Sequence, residues 1–140
     1  MELSERYTAL LTDFEKALKS FSNALEMDKN KFSVEELDLF QNGCIQKFEY
    51  TTELAWKLGK VLLEWNAGEM QSSPKQVIRA MFSYNFIDEN LSQCLLKTIE
   101  DRNALSHVYK EELYESVLVH LPAHADCLQQ YLVQLKQKGV

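Results

Sequence analysis

Glycine and proline are scarce in this sequence, four and two among 140 residues. Folds built from many short strands need turn residues at every reversal, so the scarcity argues against a sandwich or barrel and for a few long helices. No apolar run approaches the roughly 18 residues that a membrane-spanning helix needs, so no membrane partner is expected. The N-terminus, MELSERYTALL, carries acids near its start and lacks a continuous apolar segment with a small-residue cleavage site, so no secretory signal is expected. Positive charge is in deficit, with 15 Lys and Arg against 21 Asp and Glu and a net charge of -6. That balance disfavours a general nucleic-acid binder, which needs a positive surface to displace counterions from phosphates. A small basic pocket on an acidic body, or charge supplied by a partner subunit, stays open. The three cysteines, Cys44, Cys94 and Cys127, are far apart, odd in number and without a CxxC pair. The expectation is therefore neither a zinc site nor a disulfide framework, and a reducing, cytoplasmic location.

The chain has the length of one domain, residues 1–140, and 46% hydrophobic and 26% charged residues are ordinary for a globular protein. Leu3, Tyr7, Leu10, Phe14, Ala17, Phe21 and Ala24 step by three and four, which predicts a first helix of about 25 residues. DKNKF, residues 28–32, breaks the pattern. Ser33-Val34-Glu35-Glu36 reads as a capping box. The phase Leu37, Phe40, Cys44, Phe48, Thr51, Ala55, Leu58, Leu62 and Trp65 then continues for about 30 residues, straight through Asn42-Gly43, to a stop near Asn66-Ala67-Gly68. Ser73-Pro74 opens a short helix that should bury Val77, Ile78, Met81 and Phe82. Asp88 caps a fourth helix with the phase Leu91, Leu95, Thr98, Arg102 and Leu105. A last helix from near Glu111 uses Leu113, Val117, Leu121, His124, Leu128, Tyr131 and Leu135, with a kink expected at Pro122. The simplest way to bury five such stripes is an all-α, antiparallel helical bundle of about five helices.

The stretch Asp101–Tyr109 (DRNALSHVY) holds the most suggestive chemistry. Arg102 stands where the apolar stripe calls for a leucine, and burying a guanidinium is costly unless it is paired. It should meet a carboxylate from another helix or line a cleft. Asn103 and His107, four apart, share a face; Arg102 and His107 lie about 140° apart on an ideal helix and converge only through the long Arg side chain or a helix end near His107. A purely structural reading makes these an interhelical ion pair, a capping Asn and a half-buried His. In FEYTTELAWK (residues 48–57), Glu49, Glu53, Trp56 and Lys57 form a polar-aromatic ridge beside the apolar one. Either Glu53 and Lys57 make a surface salt bridge, or Glu49 or Glu53 is the carboxylate that holds Arg102. His120 and His124 have the i, i+4 spacing of two metal ligands, but Pro122 lies between them and no acidic third ligand is evident nearby, so they are read as surface or kink histidines with no metal site. Lys75 and Arg79 share a face of the short helix, read as solvated rather than phosphate-binding.

Taken together, FEYTTELAWK, Ser73-Pro74 with Val77-Ile78-Arg79, and DRNALSHVY resemble the nucleotidyltransferase substrate-binding family within the HEPN superfamily, over about Tyr7 to Leu135. The resemblance implies an up-and-down four-helix core, a homodimer and a separate minimal nucleotidyltransferase as partner, with a nucleotide or RNA as the ligand class and no cofactor. It also implies the motif R-x4-H-x-Y, here Arg102, His107 and Tyr109. In related HEPN toxins that motif performs metal-independent RNA cleavage, and in some pairs the nucleotidyltransferase silences the toxin by adding AMP to the motif tyrosine. Two functions follow as expectations: a substrate-binding or partner subunit of a nucleotidyltransferase, or a ribonuclease toxin. In the second, His107 transfers protons, Arg102 stabilises phosphoryl charge and Asn103 positions substrate or holds His107. A helical dimerisation scaffold without catalysis is the third.

Overall fold

The computed structural model describes residues 2–107 and 111–138, the side chains of His107 and Glu111 excepted. Five α-helices run in the order α1 (Leu3–Leu25), α2 (Val34–Ala67), α3 (Pro74–Ser83), α4 (Glu89–Ala104) and α5 (Glu111–Gln137), with 3-10 turns at Lys29–Lys31 and Leu105–His107 and no strand among the described residues. The fold is all-α, as the stripes predict. Helices α1, α2, α4 and α5 close a four-helix core in which α1 packs on α2 and α5, and α4 packs on α5 and α2, while the short α3 bridges α2 and α4.

The helix limits have local causes. Ser33 Oγ accepts from the Glu36 N–H at 3.1 Å while the Glu36 carboxylate accepts from the Ser33 N–H at 2.9 Å, completing the capping box of α2. The same bonds hold the Glu36 carboxyl below the ordinary carboxylate range. Helix α2 then runs 34 residues without a break at Asn42-Gly43 and ends at Gly68, whose φ of 66° is the left-handed conformation that glycine adopts without a Cβ penalty. Ser73 and Pro74 start α3, and Asp88 starts α4 by accepting from the Leu91 N–H at 2.8 Å. Asp88 also clamps Gln134 of α5 in both directions: its N–H donates to the Gln134 side-chain carbonyl and its carboxylate accepts from the Gln134 amide. That pair fixes the register of α4 against α5. Helix α5 continues as one element past Pro122.

The stripes meet in a core containing Phe14, Phe21, Phe48, Leu58, Leu62, Met81, Leu91, Leu121, Leu128 and Tyr131. Burying such side chains contributes about 1.5–3 kcal/mol each before entropy is counted. Phe14 meets Tyr131 edge-on at 5.7 Å, and the Tyr131 hydroxyl donates to the Ala55 carbonyl at 2.9 Å. Gly59 permits that approach, because a Cβ there would lie 2.5 Å from Met81 Sδ and 3.0 Å from the Tyr131 oxygen. Three stripe positions depart from expectation. Phe82, Trp65 and Leu113 keep 41%, 40% and 37% of their surface exposed. Phe82 belongs to a helix of only ten residues, which offers the core little more than Val77, Ile78 and Met81; Trp65 lies at the end of α2, where Tyr7 covers it at 5.5 Å.

The cysteine expectation is corrected. Cys94 of α4 and Cys127 of α5 are joined by a disulfide, leaving Cys44 as the free, buried thiol. Their separation of 33 residues hid the pairing, because only the register of α4 against α5 brings them together.

Candidate functional site

Consecutive residues at the end of α4 serve two different seams. Successive helical residues are about 100° apart, so Asp101 faces α5 while Arg102 faces α2. Arg102 Nη2 donates to Glu53 Oε2 at 2.8 Å. Of the two acids expected to hold it, Glu53 does so; Glu49, half-buried one turn earlier, has no ion-pair partner among the described residues. Glu53 is in turn fixed on its own helix, accepting from Trp56 Nε1 at 2.9 Å and lying 3.5 Å from Lys57 Nζ. The expected ridge except Glu49 thus converges on Glu53, which in turn holds Arg102. The Arg102 side chain is 32% exposed, and its Nε is buried with no partner among the described residues. A positive group held through one nitrogen and still partly exposed is suited to an anionic ligand.

The α-helix ends at Ala104 and tightens into the 3-10 turn Leu105–His107, the helix end that Arg102 and His107 need if they are to converge. Asn103 is exposed on the last turn. The His107 side chain and Tyr109 lie outside the described residues. Lys75 is half-buried and Arg79 exposed on α3, and neither pairs with an acid among the described residues.

On the other seam one part of the sequence reading is corrected. His124 is buried, not a surface histidine, and the acidic third group that seemed to be missing is Asp101, brought in from α4. One carboxylate oxygen, Asp101 Oδ2, lies 2.8 Å from His120 Nδ1 and 2.6 Å from His124 Nε2; Lys97 Nζ is 3.3 Å from the other oxygen. The second nitrogen of His124 sits 3.2 Å from Thr98 Oγ1, which donates to the Cys94 carbonyl at 2.9 Å. Phe48 stacks on the His124 ring at 5.0 Å. Burial opposes the Asp101 charge, yet the bonds from His124, His120 and Lys97 hold the carboxyl below its ordinary value. Burial lowers the His124 pKa, against the pull of Asp101. Asp101 was legible only as a member of the arginine motif, because nothing in one sequence fixes which helix faces which.

The arrangement of four core helices is that of HEPN proteins. A tri-AMPylated HEPN toxin of Shewanella oneidensis in complex with an MNT antitoxin superposes with a TM-score of 0.75 at 16% identity, over 94% of this chain and 96% of that one. A toxin–antitoxin structure with AMP-PNP gives 0.75 at 14% identity, over 92% and 96%. At these identities the likeness establishes the fold. A protein from Thermus thermophilus is more similar in sequence, 29% identical over 87% of this chain and 98% of that one, with a TM-score of 0.74. No curated protein is significantly similar in sequence. Residues 9–137 match the family described as nucleotidyltransferase substrate binding protein like, and the chain belongs to that family. No helix among the described residues is long and apolar enough to cross a membrane.

Proposed function

We propose that this chain is the helical substrate-binding subunit that works with a separate minimal nucleotidyltransferase, as a homodimer. The observation that carries the reading is Arg102, held by Glu53 through Nη2 near the end of α4 with its side chain still 32% exposed and able to meet an anion. A nucleotide phosphate, or the phosphate of an RNA acceptor, fits that chemistry. Family membership, and the toxin–antitoxin complexes among the structures that share the fold, support a nucleotidyltransferase partner. The test is co-expression with the nucleotidyltransferase encoded nearest the gene, followed by light scattering and intact mass of the purified complex. Co-purification of the two chains is expected; separate elution of a monomer at micromolar concentration would overturn both partnership and dimer.

A second reading makes the same end of α4 catalytic. Here Arg102 stabilises phosphoryl charge, His107 transfers the proton, Asn103 positions the ribose, and AMP attached to Tyr109 silences the activity. It is favoured by the same residue, because Glu53 takes Arg102 through one nitrogen and leaves part of the side chain exposed beside the turn that carries His107. Expression of the chain alone separates the two. Growth arrest, with RNA cleavage that survives EDTA and is abolished by Arg102→Ala and by His107→Ala, supports the enzyme. Tyr109→Phe should then leave a toxin that the nucleotidyltransferase cannot silence by this route. Binding without cleavage or AMP addition leaves the first reading standing.

A further inference from the structure

We propose that Asp101, His120 and His124 form a binding site for a divalent transition-metal cation of the zinc type, clasping the end of α4 to the middle of α5. The inference is independent of the role assigned to Arg102. His120 and His124 stand one helical turn apart on the same face of α5, and Asp101 enters from α4 between them, so that all three ligand atoms lie within 4.8 Å of one another. Two imidazole nitrogens and one carboxylate oxygen are the donor set of zinc rather than of magnesium or calcium, which take oxygen ligands. With metal–ligand distances near 2.0–2.1 Å, tetrahedral ligands stand roughly 3.3 Å apart. The carboxylate oxygen lies 2.6 and 2.8 Å from the two nitrogens, so occupancy asks it to withdraw by about half an ångström. The cation takes the place of the protons that these hydrogen bonds hold.

The surroundings match those of a ligand set as well as those of a polar core. The far nitrogen of His124 is engaged by Thr98, and Phe48 stacks on the ring, which together fix its orientation. Asp101 and His124 are 9% and 5% exposed at the side chain, whereas His120 is 38% exposed, giving a buried wall and an open side for entry and a fourth, water ligand. Lys97 touches only the second carboxylate oxygen, and at 53% exposure it can swing into solvent as the cation arrives. The site lies on one line with the disulfide: Cys94, Thr98 and Asp101 on α4 face Cys127, His124 and His120 on α5. A cation here would bind the two helices together beside the Arg102 turn, much as the disulfide does further along the seam.

The experiment is calorimetric titration of Zn2+ into tag-free, chelator-stripped full-length protein, with metal content checked by elemental analysis. One Zn2+ per chain and a melting temperature that rises with zinc and falls back with EDTA are expected. Because His120 is half exposed, His120→Ala should fold and melt as the metal-free protein does. It should weaken Zn2+ binding by more than about 100-fold, since loss of an outer partner alone costs 10–100-fold. Asp101→Asn should weaken it as well. The chain has three histidines, so His107→Ala, which should retain wild-type affinity, controls for zinc held elsewhere. Absence of saturable binding, or equal binding by wild type and His120→Ala, would show a hydrogen-bonded cluster without metal affinity and overturn the proposal, as would loss of binding in His107→Ala.

Discussion

Removing the charge of Glu53 tests whether Arg102 is held in place or merely near an acid. Glu53→Gln keeps an oxygen for the Trp56 indole but gives up the ionic partner of Arg102, and Arg102→Met keeps much of the apolar stem while removing the guanidinium. Breaking a buried ion pair costs about 3–5 kcal/mol, while an exposed one is worth about 0.2–1 kcal/mol. With Arg102 and Glu53 32% and 29% exposed, the pair lies between these limits, and solvent screening pulls it toward the lower one. A coupling of about 1–1.5 kcal/mol is expected from the double-mutant cycle, the value of a charge-assisted hydrogen bond partly screened by water.

Urea unfolding of wild type, both single variants and the double variant, followed by tryptophan fluorescence, gives that coupling. Trp56 donates directly to Glu53, so the same substitution should also shift the native emission. The functional arm reads partner binding or RNA cleavage. Glu53→Gln should lower it through Arg102 and have no further effect in an Arg102→Met background. Coupling below about 0.3 kcal/mol, at the limit of what such cycles resolve, would refute the claim that Glu53 orients Arg102. So would an additive loss of function in the double variant.

Other expectations follow from single contacts. The Tyr7 hydroxyl is buried with no partner among the described residues, so Tyr7→Phe should stabilise the fold by up to about 1 kcal/mol in urea, the cost of an unmet polar group being about 1–3 kcal/mol; a destabilised variant would reveal a partner. Burial pushes the Tyr7 phenol up to about 12 and that of Tyr131 well above its ordinary 10. Between pH 10 and 12 the unfolded chain therefore loses protons that the folded chain retains, and stability should fall as pH rises, less steeply in Tyr7→Phe. Gly59→Ala gains about 1 kcal/mol of helix propensity but forces a methyl to within 2.5 Å of a fully buried Met81, so a net loss of roughly 1–2 kcal/mol is expected, and a raised melting temperature would contradict the packing of α3 on α2. Reduction of Cys94–Cys127, which closes a loop of about 33 residues, should cost about 2–4 kcal/mol, and an unchanged urea midpoint in reductant would argue that the two helices hold their register without it.

What could be read from the sequence is what one helix decides by itself. The stripes of α1, α2 and α5, the capping box at Ser33 and the stop at Gly68 depend on neighbours within a turn or two, and, Trp65 and Leu113 apart, they stand where the spacing puts them. Arg102 was conspicuous for the same reason, being a charge on an apolar phase. Choosing Glu53 over Glu49 was not possible, because both sit on one ridge and only the register of α4 against α2 selects between them. The α4–α5 seam was harder still. Cys127, His124 and His120 step by three and four along α5, and Cys94, Thr98 and Asp101 step by four and three along α4. Each set, read alone, breaks into a stray cysteine, a polar interruption and a motif residue. Read as two matching lines of non-aliphatic side chains on helices that must lie antiparallel, they align residue for residue, with the disulfide at one end and the carboxylate–imidazole cluster at the other. A polar line inside a core is stable only if another helix answers each of its groups. Two such lines answer each other only once α4 lies against α5, which one sequence does not fix, and it is at that seam that this fold departs from a simple apolar bundle.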